Sequence, residues 1–167
     1  MDAKHFFDSE QYFAGLCDGN KYAQSHNFKF CTCSGIESLQ GPLDKFRTTS
    51  AFLCLDDTND GAMYRGKSGG WFKQRTFTVF ILHRYRFNDE QDRAKQLAIC
   101  RELFRQLASR MIVDADDLKN ELIYLQTESI LCRELGQYFL NGCTGLYFMI
   151  NVDEPVDVTY SAEQWTS

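Results

Sequence analysis

The chain has 167 residues, of which 44% are hydrophobic and 14 are phenylalanine. That is enough apolar side chain for the core of a single domain over 1–167, and it excludes the disordered and low-complexity classes. A net charge of -5 and a pI near 5.2 argue against a general nucleic-acid binder, which carries a basic excess.

The opening Met1-Asp-Ala-Lys-His-Phe-Phe-Asp has neither the basic start nor the apolar stretch of a signal peptide. No run approaches the roughly 18 apolar residues of a membrane span. A soluble, cytoplasmic protein without membrane contacts is expected. The seven cysteines are odd in number, and most fall in apolar runs: Cys54 in Ala-Phe-Leu-Cys-Leu, Cys100 in a helical pattern, Cys132 in Ile-Leu-Cys. Buried free thiols are the default expectation for all of them.

In chain order, Asp8 and Gln11 have capping-box spacing, and Tyr12, Phe13 and Leu16 give one apolar face, so a short helix is predicted over 9–18, stopped by Gly19-Asn20. Phe28 and Phe30 alternate with polar neighbours, which predicts a strand reaching about Thr32. Ser34 and Glu37 suggest a second capping box, with Gly41-Pro42 interrupting the helix that follows. Ala51–Leu55 reads as a strand buried on both faces. The turn-rich stretch Asp56–Gly70 reads as a long loop, and loops of that length are functional or mobile.

A long strand, Phe72 to Phe87, and a long amphipathic helix, Asp89 to Met111, organise the chain. Phe77, Val79, Ile81, Tyr85 and Phe87 share one face of the strand, and Phe80 and Leu82 make the other apolar. Asn88 is expected to cap the helix, whose buried stripe is Leu97, Cys100, Phe104, Leu107 and Met111, with charged residues opposite. Asp114–Asp117 reads as an acidic turn, and 118–127 fits a helix or a strand equally. Ser129–Leu135 and Leu146–Val152 read as a hairpin turned at Gly136–Gly142, closed by Glu154-Pro155. The expected fold is α+β: a mostly antiparallel sheet of about five strands with the long helix across one face.

The sharpest motif is Gly61-Ala-Met-Tyr-Arg-Gly66-Lys67-Ser68, which fits G-x-x-x-x-G-K-[ST]. In a nucleotide site the backbone cradles phosphate, Lys67 would reach the terminal phosphates and Ser68 would hold magnesium. A helix must start there, yet Gly69-Gly70-Trp71 and a strand pattern follow. Glycines in a first helical turn cost about 1 kcal/mol each against alanine. Asp56, Asp60 and Gly61 imitate a calcium loop, but Lys67 stands where a bidentate glutamate is needed. Cys17, His26, Cys31 and Cys33 lack zinc spacing, so no metal is expected. His5, His26 and His83 are the histidines; no G-x-S-x-G elbow is present, and nothing singles out a cysteine to pair with one of them. His83, between Ile81 and Tyr85 on one strand face, is expected as a core or sheet-edge imidazole. Arg84 and Arg86 alternate at the strand end, with Lys73 and Arg75 near its start. Such a stripe suits an acidic partner or a phosphate backbone, but a solvated strand end whose charges discourage edge pairing is the expected reading.

The long strand Thr76-Phe-Thr-Val-Phe-Ile-Leu with its helix, and the Gly142–Glu154 strand before Pro155, resemble the small α+β tail-terminator and tail-completion proteins of long-tailed bacteriophages and prophages. The resemblance covers about the second half of the chain, in pattern rather than identities. The cysteine-rich first third has no counterpart. It implies a non-enzymatic structural protein without cofactors, acting by self-association into a ring, in the cytoplasm or in a phage particle. Contact candidates are then Asp56, Asp57, Asp60, Trp71, Lys73 and Arg75. The alternatives are a nucleotide-binding protein using Gly61, Gly66, Lys67 and Ser68, and an unclassified ligand- or partner-binding domain.

Overall fold

The computed structural model describes residues 7–136 and 142–166. The expected turn at 137–141 lies outside them, as does His5. The chain begins with α1 (Ser9–Gly19) and α2 (Lys21–Ser25). Asp8 caps α1 by accepting from the Gln11 N–H at 3.0 Å, and Asn20 caps α2 by accepting from the Ala23 N–H at 2.7 Å. Strand β1 (Phe28–Cys33) follows, then α3 (Gln40–Lys45) and β2 (Ala51–Asp56).

Pro42 does not break a helix. It lies in the first turn of α3, where its missing N–H would have had no partner. Nor does Ser34 cap one: its hydroxyl donates to the Asp57 carboxylate at 2.8 Å.

The long strand is β4 (Trp71–Arg84), and it ends three residues before Phe87, which is exposed. The stretch read as a loop holds a further strand, β3 (Asp60–Arg65), folded back on β4 as a hairpin. The sequence hides it because every β3 residue is exposed, so no apolar alternation marks it.

Helix α4 (Glu90–Leu118) runs 29 residues, through the acidic stretch expected to be a turn. Asp89, not Asn88, is its cap, accepting from the Asp92 N–H at 2.9 Å. Asn88 takes the left-handed bend before it, with φ 57°. The unsettled segment closes the helix with a short 3₁₀ turn and enters β5 (Tyr124–Leu125); β6 (Leu131–Glu134) and β7 (Cys143–Pro155) complete the sheet.

The fold is α+β with a mixed sheet of seven strands, more than the five expected, in the order β1-β2-β4-β7-β5. β3 pairs with the first half of β4, below β2, and β6 pairs with β7 beside β5. The β1–β2 pair is parallel, because the α3 segment carries the chain back across the sheet before β2 begins; the other pairs are antiparallel.

One face, built on Phe77, Val79, Ile81, Phe148 and Ile150, packs under α1 and α4. Leu103 and Ala115 of α4 join the expected Leu97, Cys100, Leu107 and Met111, while Phe104 is partly buried. The other face carries a smaller core of Leu39, Leu43, Phe52, Phe80 and Leu82 at the α3 end only. Its opposite half, where β3 lies, has no helix over it among the described residues.

Candidate functional site

The P-loop-like residues lie on a hairpin. Gly61 sits within β3 opposite Arg75, and a Cβ there would stand 2.5 Å from the Gln74 carbonyl oxygen. Glycine is needed for that close approach between strands. Gly66 and Gly70 close the turn through the bond from Gly66 N–H to Gly70 C=O at 2.7 Å, with Lys67 and Ser68 exposed at its tip. β4 follows Ser68, so the helix N-terminus that would hold phosphate is absent from this position.

The acidic candidates have local duties. Asp56 Oδ1 accepts from the N–H groups of Gly35 and Thr58, both at 2.9 Å, and Asp57 accepts from Ser34, so this pair ties the end of β2 to the turn after β1. Asp60 is exposed at the start of β3.

Arg75 turns inward. It pairs with Glu154 at 2.5 Å and donates to the Phe7 carbonyl at 2.9 Å, while the Phe7 N–H donates to Glu154 at 2.7 Å. Glu154 is 3% exposed, and removing one partner of so buried a pair costs about 3–5 kcal/mol. Arg75 therefore anchors the N-terminal segment to the sheet. Lys73 and Trp71, opposite Met63 and Arg65 of β3, stay exposed.

On the opposite face of β4 from Trp71, Lys73 and Arg75 lies an open surface that pattern reading missed. On the uncovered face, Tyr64 of β3 stacks on Phe72 of β4 with ring centroids 5.7 Å apart, and Phe72 meets Tyr124 of β5 edge-on at 6.3 Å. Beneath them Asp153 Oδ2 accepts from Tyr64 Oη at 2.8 Å and from Gln126 Nε2 at 3.0 Å. Burial and this bond to Asp153 push the Tyr64 hydroxyl up to about 12, so it remains a donor at neutral pH. Asp153 Oδ1 is buried without a hydrogen-bond partner among the described residues. The contacts reach from β3 across β4 to β7 and the residue after β5, and they tie the hairpin to the rest of the sheet. The aromatic side chains 64, 72 and 124 were visible in the sequence, but the pairing that gathers them was not.

Two strand edges are consequently presented to solvent. All six residues of β3 are exposed, with Met63 at 55%, and all four of β6, with Leu131 at 62%. Among the described residues no strand pairs with the outer side of either.

In a groove of about 980 Å³ between α1 and α4, Tyr12 donates to Asp114 at 2.9 Å and Arg110 holds Asp114 at 2.8 Å, while Asp117 and Glu121 line the same groove. Burial first, and Asp114 second, raise the Tyr12 hydroxyl far above its ordinary value. Ser25 and His26 touch at 3.1 Å, yet both also bond the Tyr22 carbonyl at a helix end. No group of three or more His, Cys, Asp or Glu among the described residues is arranged to hold a metal ion. Among them, too, no helix is long and apolar enough to cross a membrane. Compared with protein-family models and with curated proteins, the chain matches none.

Proposed function

We propose that the protein is a non-enzymatic assembly component that joins copies of itself edge to edge into a ring, in the manner of the tail-terminator proteins it resembles. The observation that carries this reading is the pair of fully exposed strands, β3 and β6, at opposite borders of one sheet. Exposed edges template pairing with another chain. A β3-to-β6 contact is head-to-tail, and head-to-tail contacts make rings when the rotation closes.

Polarity and face support the match. β3, β4, β7 and β6 alternate in direction, so β3 of one copy meets β6 of the next as an antiparallel neighbour. Placing Asp60 opposite Arg133 of a second copy brings Gly61 to Cys132 and Ala62 to Leu131, each pair on a shared face of the sheet. Opposite charges and small-to-large apolar contacts then coincide in one register.

Size-exclusion chromatography with light scattering tests the reading. The expected result is a closed oligomer for the wild type, and monomers for Ala62→Lys and for Leu131→Lys with unchanged circular dichroism. A strict monomer at high concentration, or an oligomer that survives both substitutions, overturns it.

A further inference from the structure

Cys31 of β1 and Cys54 of β2 are direct partners in the parallel register. Neighbouring strands run about 4.8 Å apart, inside the Cα separation that a disulfide bridges. Both side chains point to the face covered by α3, as does Cys33. The three thiols thus share one patch, contributed by adjacent strands.

Their accessibility differs. Cys54 is 1% exposed and Cys33 is 4% exposed, whereas Cys31 is half-buried and lines a surface hollow of about 410 Å³ with Gly41, Pro42, Lys45 and Phe46. The Lys29 ammonium stands 3.6 Å from the Phe46 ring centroid in the same patch. The neighbouring Cys54 thiol lowers the Cys31 thiol, burial works against this, and the Lys29 ammonium lowers it further. Cys54 is raised by the neighbouring Cys31 and Cys33 thiols and by burial. The exposed Cys132 is the counter-example: partial burial and Glu134 raise its thiol. Cys132 has no neighbouring thiol opposite it on β7, whereas the half-buried Cys31 has Cys54 as its direct partner on the next strand.

We propose that Cys31 and Cys54 form a peroxide-responsive thiol pair. The Cys31 thiolate attacks the O–O bond of hydrogen peroxide; its sulfur takes one oxygen to become a sulfenic acid, and hydroxide leaves and is protonated by solvent. The Cys54 thiol then attacks that sulfur, the S–OH bond breaks, and water departs with the Cys54 proton. A disulfide now joins β1 to β2. Two thiols have been oxidised by two electrons and one peroxide reduced to two waters. The link staples the border strand β1 to its neighbour, at a distance from the β3 and β6 edges.

The test treats the full chain with hydrogen peroxide, blocks remaining thiols with iodoacetamide, and maps the peptides by mass spectrometry. A Cys31–Cys54 cross-link that forms before Cys132 is oxidised, and that dithiothreitol reverses, is the expected result. Cys31→Ser loses the cross-link and Cys132→Ser keeps it. In Cys54→Ser, dimedone captures Cys31 as its sulfenic acid. Should that buried substitution prevent folding, the wild-type map decides alone. Oxidation that begins at Cys132, a cross-link to any other cysteine, or no cross-link overturns the proposal.

Discussion

His83 lies near the end of β4, 9% exposed, with its ring edge-on to Phe28 at 6.0 Å and its Nδ1 2.7 Å from the Arg84 carbonyl. That geometry favours the neutral ring donating from Nδ1. Burial lowers its pKa below the ordinary 6.5, and His26 lowers it further; the Arg84 carbonyl and Asp92 act the other way. The unfolded chain therefore takes up the proton first as pH falls. The stability contributed by neutral His83 is fully present above about 6.5 and declines below it, until the folded-state pKa is reached. Thermal unfolding from pH 8 to 5 checks this: the wild-type midpoint falls below pH 6.5, and in His83→Gln that part of the fall is lost. Residue chemistry was partly legible in the sequence. The neighbours Ile81 and Tyr85 point to a core or sheet-edge imidazole at His83, which is buried, and the buried place of Cys54 followed from its apolar run. The half-exposure of Cys31 did not, because it depends on where α3 crosses the sheet.

At the scale of elements, β4 and β7 carry the sheet through thirteen paired positions, Phe72–Pro155 to Arg84–Cys143. They approach closely at Gly145, where φ is +148° and a Cβ would stand against the Ile81 carbonyl oxygen. A side chain there meets backbone, which cannot swing aside. Gly145→Ala is expected to destabilise the fold by about 3 kcal/mol, the range of overpacked or strained core substitutions. Urea unfolding measures it, with Gly136→Ala, whose Cβ meets nothing within 4 Å, as the control near zero. Helix α4 was the most legible element because its apolar stripe repeats over many turns. Its last two turns were misread because Asp114, Asp116 and Asp117 resemble a turn by composition. In the structure Asp114 instead joins Tyr12 and Arg110, and Asp116 pairs with Lys119 at 3.0 Å. Strand β3 was missed for the opposite reason. Its partner is the polar start of β4 and both its faces are exposed, so periodicity had nothing to record.

Considered whole, the molecule is a sheet with one face covered by helices and the other covered only in part, and of its border strands β3 and β6 are exposed along their whole length. If β3 and β6 meet between copies in the proposed register, Asp60 and Arg133 form a pair across the contact. Asp60→Arg alone is expected to dissolve the oligomer by placing like charges opposite each other, and adding Arg133→Asp is expected to restore it. Light scattering of the single and double variants reads the outcome, and failure of the double variant to recover the oligomer removes this register. By itself, the sequence determined the α+β class, the long strand, the long helix and the buried stripe between them. Those follow from hydrophobic periodicity, which records what each element buries. The tertiary structure alone decided the parallel β1–β2 pair, the β3 hairpin, the inward turn of Arg75 onto Glu154 and the two open edges. These depend on which strands lie side by side, and strand neighbours far apart in the chain leave no local pattern.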